Sequence, residues 1–229
     1  MTLHEMIYHR KSCRSFTGQP VDAEMMEKIL SFELKPLYPQ IGVRMDIVSR
    51  EQVKCICPWT TPQLIAIYSE EKAGYLENIG FLFQQMDLYL QTLGMGVCWL
   101  GLGRMNPKTT TAVEGMKFVI MLSFGHPKGD RLRRDGKGFK RKAMAQITDR
   151  EDPRLEPARL APSAVNSQPW YFIHDGDAIH VHCSKKGSRL DAGIALAHLY
   201  VANAETFRFF KAEAVPAVPG CHYIGSVNL

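Results

Sequence analysis

The sequence predicts an α+β fold, in which helices flank a sheet and both kinds of element share one core. Apolar residues recur at helical spacing from residue 78 to residue 93, and short β-branched or aromatic segments bounded by Gly and Pro occur on both sides of that stretch. The chain has 229 residues, of which 45% are hydrophobic and 22% are charged. This is the composition of a globular protein that can bury a core, so disordered, collagen-like and coiled-coil proteins are excluded.

Charge and hydropathy restrict the partners of the protein. The chain carries 28 Lys and Arg against 23 Asp and Glu, a net charge of +5 that suits an anionic small molecule at least as well as nucleic acid. No apolar run approaches the ~18 residues of a membrane helix, and residues 1–16 are charged where a signal peptide is apolar. We therefore expect a cytoplasmic protein that binds neither a membrane nor nucleic acid and keeps its six cysteines reduced.

Two helices and three strands are predicted in the first part of the chain. Asp22 is a suitable N-cap for an amphipathic helix over residues 22–35. The longer helix from Asn78 ends at Gly94, where glycine commonly terminates helices. Short β-branched or apolar runs predict strands over residues 43–48, 64–68 and 117–124, with a loop over residues 55–62.

The second part follows a Gly-rich basic loop over residues 128–142. Its basic residues are Lys128, Arg131, Arg133, Arg134, Lys137, Lys140, Arg141 and Lys142. A hairpin is predicted over residues 170–183, turning at Asp175-Gly176-Asp177, then a helix over 193–210 and a strand over 223–227.

The two parts have the same order of elements, which indicates a diverged internal duplication, although two unrelated stretches remain the alternative. We divide the chain into a first half (1–127), a linker (128–148) and a second half (149–229) that together form one compact unit.

Two segments carry candidate ligand-binding residues. Residues 10–16 place three cations and two serine hydroxyls in seven positions, a composition that suits a phosphate, although most short basic runs are only solvated surface. Residues 160–170 place Ser163, Asn166, Ser167 and Gln168 between two prolines, so that short hydrogen-bonding side chains could recognise the polar edge of a planar ring. The residues alone slightly favour the alternative that the second segment is only a turn with Asx and Ser caps.

These segments resemble signatures of the FMN-dependent nitroreductase family. Residues 10–16 resemble its opening R-x-S-x-R-x-F, and residues 162–170 resemble its P-S-x-x-N-x-Q-P-W flavin-binding segment. Residues 93–101 are similar to its L-G-x-G-x-x-W-x-G turn, and residues 124–127 to its strand-ending G-Y-P. Residues 140–142 resemble more loosely its basic K-x-R pair. The resemblance implies the nitroreductase fold, a central mixed or antiparallel sheet flanked by helices.

The order of these signatures departs from the family. In ordinary members the P-S-x-x-N segment follows the first helix, whereas here residues 36–40 read Pro-Leu-Tyr-Pro-Gln and the motif comes only after the basic loop. Ordinary members are homodimers that build each flavin site from both subunits. The chain therefore resembles the fused branch known as putative TM nitroreductases, which implies a monomer with one complete site and a degenerate symmetry mate.

The resemblance also implies the roles of individual residues. The phosphate and ribityl end of FMN is assigned to Arg10, Lys11, Ser12 and Arg14, with Lys140 and Lys142 as weaker partners. The isoalloxazine ring is assigned to Pro162, Ser163, Ala164 and Asn166, and its other edge to the backbone near Leu100 and Gly101. Because FMN supplies the redox chemistry, no catalytic side chain is expected. NADH or NADPH would donate hydride, and a nitroaromatic or quinone would accept the electrons.

Three alternatives remain from the sequence. His180 and His182 lie on one face of a predicted strand, but no third ligand has a suitable spacing, so we expect surface residues and no metal. A degenerate site would leave a flavin carrier or sensor without turnover. The basic loop would otherwise belong to a non-catalytic binding module, for which nucleic-acid binding should depend steeply on salt.

Overall fold

The computed structural model describes residues 1–55, 63–109, 112–130, 132–133 and 138–229. The chain forms two compact units, each with its own antiparallel sheet, and the predicted α+β class is confirmed. Unit 1 comprises Met1–Tyr75 and Met86–Gly136, and unit 2 comprises Leu76–Gln85 and Lys137–Leu229.

In its described residues, unit 1 contains two short α-helices and six strands. The helices are α1 (Leu3–His9) and α2 (Ala23–Ser31). The strands are β1 (Val43–Ser49), β2 (Val53–Lys54), β3 (Gln63–Ser69), β4 (Gly96–Leu100), β5 (Arg104–Met105) and β6 (Lys117–Gly125). The main sheet has the order β1-β3-β6-β4, and β2 pairs with β5 as a separate ribbon. The strands predicted over residues 43–48, 64–68 and 117–124 are confirmed.

The long helix α3 (Tyr75–Thr92) contributes residues to both units. It confirms the helix predicted from Asn78, and Gly94 with φ 87° follows its end. Ile79, Phe83 and Met86 are fully buried, as their helical spacing predicts.

Unit 2 contains the helices α4 (Glu156–Leu160) and α5 (Arg189–Ala202). Its strands are β7 (Trp170–Asp175), β8 (Ala178–Ser184), β9 (Arg208–Phe210) and β10 (Cys221–Asn228), in the order β7-β8-β10-β9. The predicted hairpin is confirmed, and Gly176 adopts φ 57° in its turn.

The first two turns of α3 and α5 approach each other closely in unit 2. A Cβ atom at Gly80 would lie 2.0 Å from the carbonyl oxygen of Leu190, and one at Gly193 would lie 2.1 Å from that of Glu77. Only glycine fits at these two positions. The contact is reciprocal, because in each helix the carbonyl three residues before the glycine meets the glycine of the other helix.

The two main sheets have the same topology. Each runs strand, strand, helix, short strand, long strand along the chain, and in each the long last strand lies between the second strand and the short one. In unit 1 these elements are β1, β3, α3, β4 and β6, and in unit 2 they are β7, β8, α5, β9 and β10.

Two helix predictions were wrong at their ends. The helix predicted to reach residue 35 ends at Ser31, because Phe32 adopts an extended conformation and its ring stacks on Tyr89 at 3.9 Å. The helix predicted over residues 193–210 begins at Arg189 and ends at Ala202. Residues Arg208–Phe210 instead form β9, which pairs with the end of β10.

Several sequence features were missed or lie outside the described residues. Helices α1 and α4 and strands β2, β4 and β5 were not predicted. The predicted loop over residues 55–62 lies outside the described residues except for Cys55, and so do Arg131, Arg134 and Lys137 of the basic loop. Within the described parts of the chain, no helix is long and apolar enough to cross a membrane.

Candidate functional site

Arg10 is a buried residue of unit 1. It caps α1, where its backbone N–H donates to the carbonyl of Met6, and only 1% of its surface is exposed. Its Nε donates to Asp87 Oδ1 at 3.0 Å, and its terminal nitrogen lies 3.4 Å from Ser12 Oγ. Arg10, which was predicted to bind a phosphate, therefore forms a buried ion pair with Asp87 on α3.

The rest of the predicted phosphate segment is fixed by its backbone. Lys11 N–H donates to Gln91 on α3 at 3.0 Å, and Cys13 N–H donates to the carbonyl of Val97 in β4 at 2.8 Å. These bonds leave the side chains of Lys11 and Arg14 at the exposed surface, with Ser12 half-buried between them. The structure thus presents two exposed cations and one hydroxyl from a rigid segment.

Arg133 adds a cation that the sequence analysis did not assign to the site. Its backbone N–H donates to the carbonyl of His9 at 2.7 Å, and its own carbonyl lies 2.9 Å from His9 Nδ1. Burial and the positive charge of Arg10 lower the pKa of Arg133. Two guanidinium groups therefore repel each other beside the predicted phosphate segment, an arrangement that a bound anion would relieve.

The turn after β4 carries the other two predicted residues of unit 1. Leu100 is buried in a cluster with Tyr68 and Met121, so its side chain is part of the core. Gly101 is exposed, and a Cβ atom there would meet nothing within 4 Å. Arg104 donates to the carbonyls of Gly101 and Gly103 at 3.0 and 2.7 Å, which fixes the turn. The open backbone at Gly101 leaves room for a ligand to approach.

In unit 2 the predicted ring-binding segment forms a strained, exposed loop, defined here as the 163–168 loop. Val165, Asn166 and Gln168 adopt positive φ angles of 46°, 57° and 44°. Such angles are unfavourable for a β-branched residue, and Val165 is also 98% exposed. Strain of this kind persists only where surrounding contacts fix the backbone, and it concentrates at functional sites.

Hydrogen bonds at both ends hold the 163–168 loop. Ser163 Oγ accepts from the N–H of Gln168 at 2.8 Å, which closes the loop on itself. Asp191 on α5 accepts the N–H of Ala164 with both carboxylate oxygens, at 3.1 and 3.3 Å. The backbone N–H of Ala164 is therefore already used within the protein, while its methyl group is exposed. Pro162 is buried beneath the loop.

The basic residues 140–142 are bonded to the same loop. Asn166 donates through Nδ2 to the carbonyl of Lys140 at 2.7 Å and accepts at Oδ1 from Arg141 at 2.5 Å. Lys142 donates through its backbone N–H and its Nζ to the side chain and the carbonyl of Gln168, at 2.7 and 2.9 Å. Two predicted groups are thus brought together, but Lys142 and Asn166 are committed to loop contacts and the exposed cation is Lys140.

Taken separately, the residues of each unit fit one part of FMN. Unit 1 offers cations and a serine hydroxyl, which suit a phosphate, and the mutual repulsion of Arg10 and Arg133 favours an anion. Unit 2 offers an exposed loop with fixed backbone, which suits a planar ring. The sequence motifs located both segments. Asp191, Arg133 and the role of Arg141 were missed because their contacts join residues 19 to 124 positions apart in the chain.

The prediction that His180 and His182 are surface residues was wrong. Both are only 2% exposed. His180 Nδ1 lies 2.7 Å from Ser226 Oγ on β10, which in turn lies 2.7 Å from the hydroxyl of Tyr223. Ser226 is fully buried and cannot present a nucleophile to a substrate. In the part of the chain that the structure describes, no three potential metal ligands lie together.

A separate apolar cavity of about 270 Å³ lies in unit 1. It is lined by Tyr68, Met105, Pro107, Ala112, Val113, Met116 and Phe118. None of the predicted site residues lines this cavity, so it is not part of the candidate site.

Comparisons with known proteins agree with this architecture. A family model described as putative TM nitroreductase matches residues 2–203. Among solved structures, the chain is similar to a putative nitroreductase from Thermotoga maritima MSB8, with 20% identity, a TM-score of 0.70 and coverage of 99% of this chain and 92% of that one.

Shorter solved structures match part of the chain. A nitroreductase family protein from Clostridium difficile 630 is 15% identical with a TM-score of 0.53, over 66% of this chain and 99% of that one. A putative NADH oxidase from Clostridium acetobutylicum is 18% identical with a TM-score of 0.50, over 64% and 99%. At these identities the likeness concerns the fold. No curated protein gives a significant match.

Proposed function

Because the chain belongs to the putative TM nitroreductase family and has the nitroreductase fold, we propose that it is an FMN-dependent oxidoreductase. It takes hydride from NADH or NADPH and reduces a flat, electron-poor acceptor such as a nitroaromatic or a quinone. The observation that carries the proposal is the accumulation of cations on the rigid segment of residues 10–14, beside Arg133, whose pKa is lowered by burial and by the charge of Arg10.

In this proposal the phosphate of FMN is held by unit 1. Lys11 and Arg14 make direct ionic contacts, and Ser12 supplies a hydroxyl. Arg10 acts from its buried position by its charge and by hydrogen-bonding Ser12. Since phosphate oxygens accept strong charge-assisted bonds, the anion offsets the repulsion between Arg10 and Arg133.

The isoalloxazine ring is assigned to the 163–168 loop of unit 2. Ser163, Ala164 and Asn166 are assigned to the ring beside the buried Pro162, and Asn166 also fixes the loop through its bonds to residues 140 and 141. Lys140 and Lys142 remain weaker partners of the phosphate and ribityl end. The other edge of the ring is assigned to the backbone at Leu100 and Gly101, where Gly101 is exposed and a Cβ atom would meet nothing within 4 Å. The fixed backbone of the loop would place these groups without a cost of ordering on binding.

When bound, FMN would supply the redox chemistry by carrying two electrons from the nicotinamide to the acceptor. The protein residues bind the phosphate and hold the ring in one orientation. Lys11 and Arg14 keep the anionic end in place, and the bonds from Asn166 to Lys140 and Arg141 keep the 163–168 loop in one conformation. No side chain needs to act as a general acid or base.

The site assignment is tested by flavin retention. We expect the double variant Arg14→Ala, Asn166→Ala to purify without flavin, because it loses an exposed cation and the side chain that locks the loop. The variant Asn166→Gly shows whether flavin is lost because the side-chain amide is missing or because the backbone has changed, since glycine keeps the positive φ and removes only the amide. Lys28→Ala, an exposed cation on α2, is the matched control and should retain flavin. Full retention in the double variant would refute the assignment.

Cellular and quaternary properties form part of the same proposal. We expect a cytoplasmic monomer that acts on small molecules and binds neither membranes nor nucleic acid. The shared topology of the two sheets and the reciprocal glycine contact of α3 and α5 support an internal duplication that replaces the family homodimer.

A flavin carrier or sensor is the alternative. The absorbance of the bound flavin at 450 nm distinguishes the two under anaerobic conditions with NADH or NADPH. Bleaching by the nicotinamide and recovery on adding an acceptor support the enzyme. Flavin that stays oxidised supports the carrier.

A further inference from the structure

Asp191 is a buried carboxylate whose position the proposed function does not explain. It is the third residue of α5, only 3% of its surface is exposed, and it forms no ion pair with any residue that the structure describes. Burying a charged carboxylate without a cation is costly. Packing alone therefore does not account for a carboxylate at this position.

The contacts of Asp191 point at the 163–168 loop. Both carboxylate oxygens accept the N–H of Ala164, the residue directly before two strained positions, Val165 and Asn166. The remaining side-chain contacts of the loop are made with Ser163, Lys140, Arg141, Lys142 and Arg159, none of which carries a negative charge. Asp191 is thus the single acidic anchor among the described contacts of this loop.

The titratable groups around Asp191 are either neutral or paired with each other, so none of them is its counterion. On β8, burial and the charge of Asp191 raise the pKa of Cys183 to about 12, so this thiol stays neutral. On α3, Glu77 is paired with Arg189 at the start of α5. On α4, which packs against α5, Glu156 and Arg159 are paired with each other. Burial raises the pKa of Asp191 to about 6, against the opposing effect of the Ala164 N–H.

We propose that Asp191 is a positioning residue: its carboxylate fixes Ala164 and with it the 163–168 loop, and protonation of this carboxylate loosens the loop and lowers the affinity for FMN. A carboxylate accepts a stronger hydrogen bond than a carboxylic acid does, so the anchor weakens when Asp191 takes up a proton. The consequence for FMN rests on the proposed function, whereas the anchoring of the loop does not.

A purely structural role at the helix start predicts a different behaviour. Acidic residues in the first turn stabilise a helix through its dipole, and their loss lowers the stability of the helix. Such a role would leave the conformation of the 163–168 loop and the affinity for FMN independent of the charge on Asp191. The two roles are therefore separable by measurements on the loop itself.

The first measurement is the chemical shift of the Ala164 backbone amide, by NMR of ¹⁵N-labelled, FMN-free protein between pH 4.5 and 8. We expect this signal to titrate with a midpoint near pH 6. In Asp191→Asn, which keeps an acceptor oxygen but does not titrate, the signal should stay constant. A constant signal in the unmodified protein would overturn the proposal, and this result does not depend on flavin.

The second measurement is the Kd for FMN over the same pH range. We expect about a tenfold rise in Kd from pH 8 to pH 5, the difference between a charged and a neutral hydrogen bond. The phosphate of FMN also titrates near pH 6, so the comparison is with Asp191→Asn, where only that contribution remains. Identical pH profiles in the two proteins would refute the link to flavin binding. If FMN binds neither protein, the proposed function fails and the Ala164 signal alone decides the role of Asp191.

Discussion

Arg10 and Asp87 form a pair whose partners depend on each other. The side chains are 2% and 0% exposed, and Gln91 donates to the same Asp87 oxygen at 2.8 Å. Removing one partner leaves the other charge buried without compensation, which is far more costly than removing both.

We predict that Asp87→Ala lowers the free energy of unfolding by about 3–5 kcal/mol. The double variant Arg10→Met, Asp87→Leu should recover most of this loss, because it buries no charge. Denaturant unfolding measures both. An Asp87→Ala protein as stable as the unmodified one would show that the pair is not buried in solution.

The negative charge of Asp191 destabilises the folded protein. Its folded-state pKa is raised from 3.8 to about 6, so the folded protein is favoured when Asp191 is protonated, and this stability is lost as pH rises from about 4 through 6. We predict that Asp191→Asn is more stable than the unmodified protein at pH 8, by up to about 3 kcal/mol, and equally stable at pH 4. Unfolding curves at both pH values test this, and an equal difference at the two would contradict it.

The motif positions could be predicted from sequence, but their partners could not. Arg10, Ser12 and the 163–168 loop are recognisable because their spacing is local. Asp87 lies 77 positions from Arg10 and Asp191 lies 27 positions from Ala164, so only the fold brings them together. The structure adds most to the roles predicted for Ala164 and Asn166, because the N–H of Ala164 and the side-chain amide of Asn166 already have hydrogen-bond partners within the protein.

Among the elements, α3 and α5 are held together by backbone contact. We predict that Gly80→Ala and Gly193→Ala each lower stability by several kcal/mol or prevent folding, because the added methyl group would lie about 2 Å from a carbonyl oxygen. Gly101→Ala is the matched control, since a Cβ there meets nothing within 4 Å, and its unfolding midpoint should not change. A tolerated alanine at Gly80 would mean that the helices do not pack in this way.

Strand β7 is joined to the preceding segment by a histidine between two carboxylates. His174 lies 2.7 Å from Asp149 and 3.0 Å from Asp152, and Arg154 also binds Asp152. Burial raises the pKa of Asp152, but hydrogen bonds from Arg154 and His174 outweigh it and lower the pKa to about 2.

We predict that Asp152→Asn costs about 2 kcal/mol at pH 7. The stability that Asp152 contributes is present above about pH 4 and lost as pH falls towards 2, so the difference should shrink in acid. Glu213→Gln, at an exposed position, is the control. The test is the free energy of unfolding of Asp152→Asn and of the unmodified protein at pH 7, 5 and 3. A difference between them that does not depend on pH would exclude an ionic origin.

Local pattern predicted most elements and failed at their ends. The strands β1, β3, β6 and the β7–β8 hairpin follow from alternation, continuous apolar runs and an Asp-Gly turn. The end of α5 does not, because β9 exists only through pairing with β10, and the ring of Phe209 occupies the space beside Gly225. His180 is buried for the same reason, since its partner Ser226 lies 46 positions away.

At the scale of the whole molecule, the repeated topology predicts the quaternary state. If one chain contains the counterparts of two family subunits, its own sheets replace a partner chain. We predict that the protein sediments as a monomer of 25.9 kDa at micromolar concentration. An obligate dimer at all concentrations would contradict the duplication.

The proposed function requires that one chain holds one FMN. The most direct test is to denature the purified protein, separate the released flavin, identify it by chromatography and count it against the protein concentration. We predict FMN at about one per chain, in the isolated protein or after reconstitution. A protein that contains no flavin and takes up none when FMN is added would contradict the account.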